Sequence, residues 1–544
     1  MTGQTGSTEF PIPEGIEGFW QWDKMHCPRP QTALTEEIFL RGVSVGFTTA
    51  MDQLACPVGM QYQVINRYGF FAIVPQDLGD ESMDQRIPRY QQTLEDIVPR
   101  LGDLWTNEWL PSILPGLEKA QKTDYAALDD SGLLLTLAEM TNDFMDRYIV
   151  HGKINFVLVP ASQFADLYIE LFNPDDPTEP YQVLQGFPTR SVDAGRGLWA
   201  LGRTIHNSPS LKKTFDETSA EKLPDALDKS EEGRKFHADL RTYLDEFGWR
   251  SDVFELSDKT WRENPTIPLN SLQGYSSLGD DADPELKHQE AVATREHLLA
   301  QARERLADQP EQLAKFNGLY DAAKAYLPLT EDHNYYIDQV GNAVMRLPFL
   351  ELGRRLSDRG ALAVEDDVFL LYTSEIEAGL QGTDQKSLVS ERRAELDAWA
   401  LVLPVPVIGE PPPPNDDPLG AGIGKMFGQP PEPSRDPDII TGIGASPGTV
   451  QGKAKVVRDL SEASKVEAGD ILVCEMTMPP WTPLFSTVSA VVADTGGVLS
   501  HCAIVSREYR LPCVVSTMVG TSVIKDGMTL TVDGSRGIVR IDSR

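Results

Sequence analysis

The residues with the clearest chemistry are Ser500 and His501, which follow the pair Gly496-Gly497 in the run 494–515, Asp-Thr-Gly-Gly-Val-Leu-Ser-His-Cys-Ala-Ile-Val-Ser-Arg-Glu-Tyr-Arg-Leu-Pro-Cys-Val-Val. The apolar segment Ala490 to Ala493 reads as a strand before them and Cys513 to Val515 as a strand after them, with His501 opening a helix. A strand, a glycine turn and a helix N-terminus together make a site for a negatively charged group. A histidine placed there is suited to carry a phosphoryl group itself. Neutral imidazole is the nucleophile, so the site must disfavour the protonated ring. The positive end of the helix dipole does this and then favours the anionic product, by about 0.3–1 kcal/mol and up to about 2 kcal/mol when partly buried. Gly496 and Gly497 allow the backbone to approach a phosphate closely. Ser500 is a natural N-cap. Thr495 stands where it can hydrogen-bond the ring or the phosphate, and Arg507, nearly two turns on, where it can reach an equatorial oxygen.

These positions recur as a set. Thr495, Gly496, Gly497, Ser500, His501, Ala503, Ile504, Arg507, Glu508, Pro512 and Val514 together resemble the phosphohistidine signature of enzymes that use phosphoenolpyruvate. The resemblance implies that His501 is catalytic and that Thr495, Gly496, Gly497, Ser500, Arg507 and Glu508 support it. Cys502 beside the histidine, and Tyr509-Arg510 where a small residue and a glycine are more usual, depart from the pattern without removing a catalytic part.

The elements that must position this run extend the resemblance over 441–544, the span of the family's swivelling domain. Thr441-Gly-Ile-Gly-Ala-Ser-Pro-Gly looks like its opening strand and turn, and Ile471-Leu-Val-Cys-Glu-Met reads as a further strand. The segment Thr477-Met-Pro-Pro-Trp-Thr-Pro-Leu is typical of the same domain. Met528 to Val532 and Ile538 to Ile541 flank Asp533-Gly-Ser-Arg-Gly, a hairpin signal. The implied fold is a compact β/α domain of ordinary size.

Composition bounds the rest. A chain of 544 residues has room for two to four domains. Its net charge of −33 argues against nucleic-acid or anionic-membrane binding, because no excess of cations is present to neutralise phosphates. Five cysteines at irregular spacing form neither a disulfide framework nor a paired metal-ligand pattern, so Cys27 and Cys56 read as ordinary thiols and no metal site is expected. The N-terminal residues show no basic region leading into an apolar run, and no apolar stretch is long enough to span a bilayer. A cytoplasmic location follows.

Residues 404–440 carry Pro404, Pro406, Pro411 to Pro414, Pro418, Pro430, Pro431, Pro433 and Pro437 mixed with glycines, a run that reads as a mobile linker without regular structure. As a flexible coil it would span roughly 30–35 Å, and as stretched polyproline on the order of 100 Å. Within it, Gly420-Ala-Gly-Ile-Gly-Lys resembles a phosphate loop only superficially, having no strand or helix beside it. The expected organisation is therefore multidomain α+β: a largely helical substrate-binding region at 1–403, the linker at 404–440 and the phosphohistidine domain at 441–544.

Upstream, apolar positions such as Tyr336, Val340, Val344 and Leu347 recur at helical spacing. Several stretches resemble the central substrate-binding region of rifampin phosphotransferase and related synthases. Phe19-Trp-Gln-Trp-Asp-Lys-Met-His-Cys-Pro-Arg-Pro-Gln-Thr looks like its beginning. Tyr243-Leu-Asp-Glu-Phe-Gly-Trp-Arg-Ser-Asp and Trp261-Arg-Glu-Asn-Pro look like its middle. Glu331-Asp-His-Asn-Tyr-Tyr-Ile-Asp and Glu365-Asp-Asp-Val-Phe-Leu-Leu look like its end. Trp249 stands where relatives commonly have a histidine. Within these motifs Asp23, His26, His333 and Asp338 are the candidates for the general base that deprotonates an acceptor hydroxyl. His151, His206, His237, His288 and His297 have no motif around them and read as ordinary.

Members of this family that start from ATP carry an ATP-grasp domain, and those that start from phosphoenolpyruvate a (β/α)₈ barrel. Neither is recognisable here. The resemblance then implies one subunit of a split, dikinase-like phosphotransferase, in which a separate ATP-grasp chain binds ATP and Mg²⁺ and phosphorylates His501. Phenylphosphate synthase and methylphenyl phosphate synthase are divided in this way, which makes a phenol or aromatic alcohol the expected acceptor. The alternatives are pyruvate, an antibiotic or another small alcohol as acceptor, or a phosphohistidine carrier with no acceptor chemistry of its own.

Overall fold

Apolar residues at helical spacing build most of the chain into helices, whereas the short β-branched runs that follow residue 438 build a sheet. The computed structural model describes residues 10–155, 159–251, 253–410, 424–425, 428 and 432–543. Parts of the 404–440 stretch, the N-terminal residues 1–9 read above for a leader, and Asp252 at the end of the middle motif lie outside the described residues. The protein is multidomain α+β, and its contacts divide it into two units.

The first unit takes its described residues from Met1–Phe156, Val253–Asp258 and Tyr336–Pro414. Strands β1 (Trp20–Trp22), β2 (Val58–Ile65), β3 (Tyr68–Pro75) and β4 (Val407–Ile408) form a sheet in the order β2-β3-β1-β4, antiparallel throughout. Its apolar face buries Trp20, Ile65, Tyr68, Phe70 and Ile408 together with Phe10. Strand β4 corrects the reading of 404–440 as devoid of regular structure. Val407 and Ile408 pair with Gln21 and Trp20, and Trp22 N–H donates to the Pro406 carbonyl at 3.0 Å. A proline cannot donate to a ladder, but beside an edge strand only its carbonyl is needed.

Helices Arg41–Gln53 and Asp130–Asn155 pack closely in the same unit. The approach depends on Gly46, where an added Cβ would stand 2.5 Å from Tyr148 Cβ.

The second unit takes its described residues from Val157–Asp252, Lys259–Tyr335 and Asn415–Arg544. The stretch 1–403 thus contributes to both units. Here strands β5 (Ile439–Thr441), β6 (Ile443–Ser446), β7 (Thr449–Val457), β8 (Ile471–Cys474), β9 (Ala490–Ala493), β10 (Cys513–Val515), β11 (Thr529–Asp533) and β12 (Ile538–Ser543) form one sheet. Its order is β5-β12-β11-β7-β8-β9-β10-β6. The central run β7-β8-β9-β10 is parallel and its flanks are antiparallel. Every residue of β8, β9 and β10 is buried, which is why these strands are uninterrupted apolar runs rather than alternating ones. The Asp533-to-Gly537 turn joins β11 to β12 as an antiparallel hairpin. Helices of the same unit include Arg190–His206, Pro284–Arg305 and Pro310–His333.

Replacing Gly46 with alanine is expected to cost about 1–3 kcal/mol by overpacking the helix pair, read as a lower urea midpoint. Gly318→Ala, whose Cβ meets nothing within 4 Å inside the helix Pro310–His333, should instead gain about 0.5–1 kcal/mol. Equal effects at the two positions would contradict this packing.

Candidate functional site around His501

Parallel pairing of β9 with β10 requires a crossover, and the helix His501–Glu508 supplies it. Ser500 takes the N-cap position with extended backbone (φ −69°, ψ 159°), and its hydroxyl accepts from Ala503 N–H at 3.4 Å. The preceding turn is fastened by buried Asp494, which accepts from the Thr517 hydroxyl at 2.9 Å and from the Thr521 hydroxyl and N–H. Thr495 gives its hydroxyl and its N–H to the Glu475 carbonyl, each at 3.0 Å. Gly496 has φ +95°, a conformation that favours glycine, and a Cβ there would stand 2.9 Å from the Ser500 hydroxyl.

Gly497 is needed for a different neighbour. Its missing Cβ makes room for the Lys425 carbonyl, 2.1 Å from where that carbon would be, and the same carbonyl accepts from Leu499 N–H at 3.0 Å. The Lys425 ammonium bonds Asp166 at 2.6 Å and the Ser162 carbonyl at 3.1 Å. Lys425 therefore spends its ammonium on a carboxylate and its carbonyl on the histidine turn, an arrangement that does not fit a phosphate-binding lysine.

The His501 ring meets a carboxylate that is not among the four base candidates. Nδ1 lies 3.2 Å from both oxygens of Glu331, and the Ser191 hydroxyl donates to Oε2 of the same carboxylate at 2.7 Å. Burial by itself would raise the Glu331 pKa. The adjacent imidazole, the Ser191 bond and His333 outweigh burial and hold it below the usual carboxylate range, so Glu331 stays ionised. With Nδ1–H pointed at Glu331, the lone pair of the neutral ring lies on Nε2. Nε2 is buried and has no hydrogen-bond partner among the described residues. Glu331 opens the motif from which His333 and Asp338 were drawn, so the signal was present in the residue beside those chosen.

Arg507 and Glu508 face other neighbours. The Arg507 guanidinium is buried, donates to the Ala445 carbonyl at 2.8 Å and lies 5.5 Å from the Tyr181 ring centre, and burial brings its pKa down to about 10. Glu508 accepts from Gly186 N–H at 2.6 Å and faces His288 Nδ1 at 3.3 Å, a histidine with no motif around it. Tyr509 is buried against Phe485 and over Gly195, where a Cβ would come 2.3 Å from its hydroxyl. Arg510 reaches Thr294 at 3.2 Å and Glu290 at 3.4 Å. The end of the helix thus docks on the helices of residues 161–331.

Of the four base candidates, Asp23, His26 and Asp338 lie in the first unit, where Asp23 bonds the His26 ring at 2.8 Å. His333 lies in the second unit, its Nδ1–H donating to the Leu329 carbonyl at 2.6 Å.

Comparison with known proteins matches residues 161–331 to the rifampicin phosphotransferase fourth domain and residues 466–537 to the mobile domain of PEP-utilising enzymes. The chain joins these two domains. Glu331 is the last residue of the first match, and His501 lies within the second. Among relatives, the chain is 32% identical to a chondramide synthase of Chondromyces crocatus over 98% of its own length and 14% of that protein. It is 27% identical to an uncharacterized phosphotransferase, YvkC, of Bacillus subtilis over 97% of this chain and 62% of the relative. It is 25% identical to a rifampicin phosphotransferase of Streptomyces sviceus over 79% of this chain and 50% of the relative. The chain thus spans less than two thirds of each of these proteins. Among the described residues, no helix is long and apolar enough to cross a membrane.

The pair Glu331-Asp332 titrates in opposite senses. Burial raises the Asp332 carboxyl, with Glu331 beside it adding to the effect, to about 6 despite its bond from Arg190 N–H. A carboxyl whose folded pKa is raised destabilises the fold above that pKa, and the cost fades as pH falls toward the unfolded value. Asp332→Asn is therefore expected to stabilise the protein by about 2–3 kcal/mol at pH 8 and by almost nothing at pH 4, measured by urea unfolding at the two pH values.

Proposed function

We propose that the chain is the histidine-bearing subunit of a dikinase-like phosphotransferase. His501 takes a phosphoryl group on Nε2 from an ATP-grasp module on a separate chain and passes it to a hydroxyl, with a phenol or aromatic alcohol as the acceptor and an aryl phosphate as the product. The observation that carries this reading is the orientation of His501: Nδ1 toward ionised Glu331, Nε2 without a partner. The match to the mobile domain of PEP-utilising enzymes and the relatives named as phosphotransferases support it.

The chemistry follows from the ring. Nε2 attacks phosphorus in line with the leaving oxygen, and the positive charge that develops on the imidazole is met by Glu331 through Nδ1–H. ATP with Mg²⁺, held by the partner chain, supplies the activated phosphoryl group. Thr495, Gly496, Gly497 and Ser500 shape the turn that aims the ring, and Arg507 and Glu508 anchor its helix. Delivery requires His501 to leave Glu331, with residues 404–440 as the tether read from the sequence. No role is assigned toward nucleic acid or membranes, and the reaction is placed in the cytoplasm. The rifampicin phosphotransferase relative favours a second acceptor class, an antibiotic hydroxyl.

Incubation with ATP and Mg²⁺, alone and with candidate ATP-grasp chains, followed by intact mass under alkaline conditions, tests the proposal. One phosphate is expected only with a partner, and none on the His501→Ala variant. Labelling without a partner would contradict the divided enzyme. Labelling that survives His501→Ala would contradict the assignment of the nucleophile.

A further inference from the structure

The four base candidates are not equivalent. The Asp23 and Asp338 side chains are each 4% exposed and His333 is buried, whereas the His26 side chain is 29% exposed. A base must reach the proton it removes. Only His26 among the four combines that reach with a fixed carboxylate behind it.

The fixation begins in the backbone. Where β1 ends, Asp23 N–H donates to the Gly69 carbonyl at 2.9 Å, and Cys27 N–H closes a turn onto the Asp23 carbonyl at 2.8 Å. Trp22 Nε1–H seals the turn on the Cys27 carbonyl at 3.0 Å. The Asp23 carboxylate accepts His26 N–H at 3.2 Å, His26 Nδ1–H at 2.8 and 2.9 Å, and the Tyr62 hydroxyl at 2.7 Å. Phe254 stacks on the His26 ring with centres 5.3 Å apart and planes 19° apart. Tilt about one axis is limited by Phe254, and rotation about the other by Asp23.

On the reading of His501 given above, we infer that His26 is the general base for the acceptor hydroxyl, that Asp23 is its orienting carboxylate, and that Tyr62 is a positioning residue acting through Asp23. The acceptor's O–H proton passes to His26 Nε2 as its oxygen bonds to phosphorus. The bond from phosphorus to His501 Nε2 breaks, and its electron pair returns to that ring. A phenol, with a pKa of about 10, gives its proton to an imidazole more readily than an aliphatic alcohol does.

The titratable groups around the dyad work in the same direction. Burial opposes the charged His26 ring, but Asp23 at 2.8 Å and the field of Asp338 outweigh it and raise the pKa. Burial likewise works against Asp23 ionisation, and His26 with Tyr62 holds it ionised nonetheless. Burial and Asp23 push the Tyr62 hydroxyl and the Cys27 thiol well up, so Tyr62 remains a donor and Cys27 stays uncharged. Beyond Asp338 lie Tyr148, bonded to it at 2.9 Å, and His151.

The test charges the full-length chain on His501 chemically with phosphoramidate, which bypasses the donor, and then adds phenol and follows phenyl phosphate by ³¹P NMR across pH. His26→Gln is expected to slow transfer by about 10²–10⁴ with charging unchanged. Tyr62→Phe should slow it about tenfold and move the pH profile to higher values, because Asp23 without that donor holds the His26 proton more tightly. Transfer by His26→Gln within threefold of wild type would overturn the inference and leave the role of His501 standing. If the charged wild type makes no phenyl phosphate, the phenol acceptor falls. ¹⁵N-histidine NMR then judges the dyad by itself: neutral His26 protonated on Nδ1, with that preference weakened in Asp23→Asn, supports it, and neutral His26 protonated on Nε2 overturns it.

Discussion

A buried carboxylate held ionised by an imidazole is the interaction on which this structure turns. Glu331 is removed from water, which by itself favours its neutral form, and His501, Ser191 and the nearby His333 make the charge tolerable. The pairing also commits the histidine. A ring that donates from Nδ1 presents Nε2 as its nucleophile, and a ring with a buried carboxylate behind it tolerates the charge that develops when it attacks. The same interaction couples the two matched domains, since Glu331 comes from the helical one and His501 from the sheet-based one.

The rest of the second unit keeps that pair aligned. Strands β8 to β10 are wholly apolar and buried, so their parallel register is set by the core. A parallel pair needs a crossover, and the short helix His501–Glu508 provides it with the histidine at its first turn and Glu508 at its last. Docking at both ends of one eight-residue helix fixes its direction. Histidine meets Glu331 at the start, and Glu508 meets Gly186 and His288 at the finish.

Legibility from sequence divides along the same physical line. The histidine, its N-cap, the glycine turn and the flanking strands are set by local rules, apolar runs and capping chemistry, and they stand where the residues implied. The Asp533-to-Gly537 hairpin was legible for the same reason. The partners of those residues were not, because they lie far away in the chain. Glu331 stands 170 residues before His501, and no local pattern says that the first acid of Glu331-Asp-His, rather than the histidine two places on, meets the ring. Gly497 was read as room for a phosphate, and the structure adds the Lys425 carbonyl as a second claimant to that space. The proline-rich stretch reads as lacking regular structure, yet Val407 and Ile408 complete a sheet edge, where a proline's missing N–H costs nothing, and Ile439 and Ile440 begin β5.

The Glu331–His501 pairing bears most directly on which ring nitrogen carries phosphorus. ¹⁵N–³¹P NMR of the phosphorylated, ¹⁵N-histidine-labelled chain measures this without reference to donor or acceptor. Coupling of phosphorus to Nε2 of His501, with Nδ1 protonated, is the predicted result. Phosphorus on Nδ1, the nitrogen that faces Glu331, would contradict it.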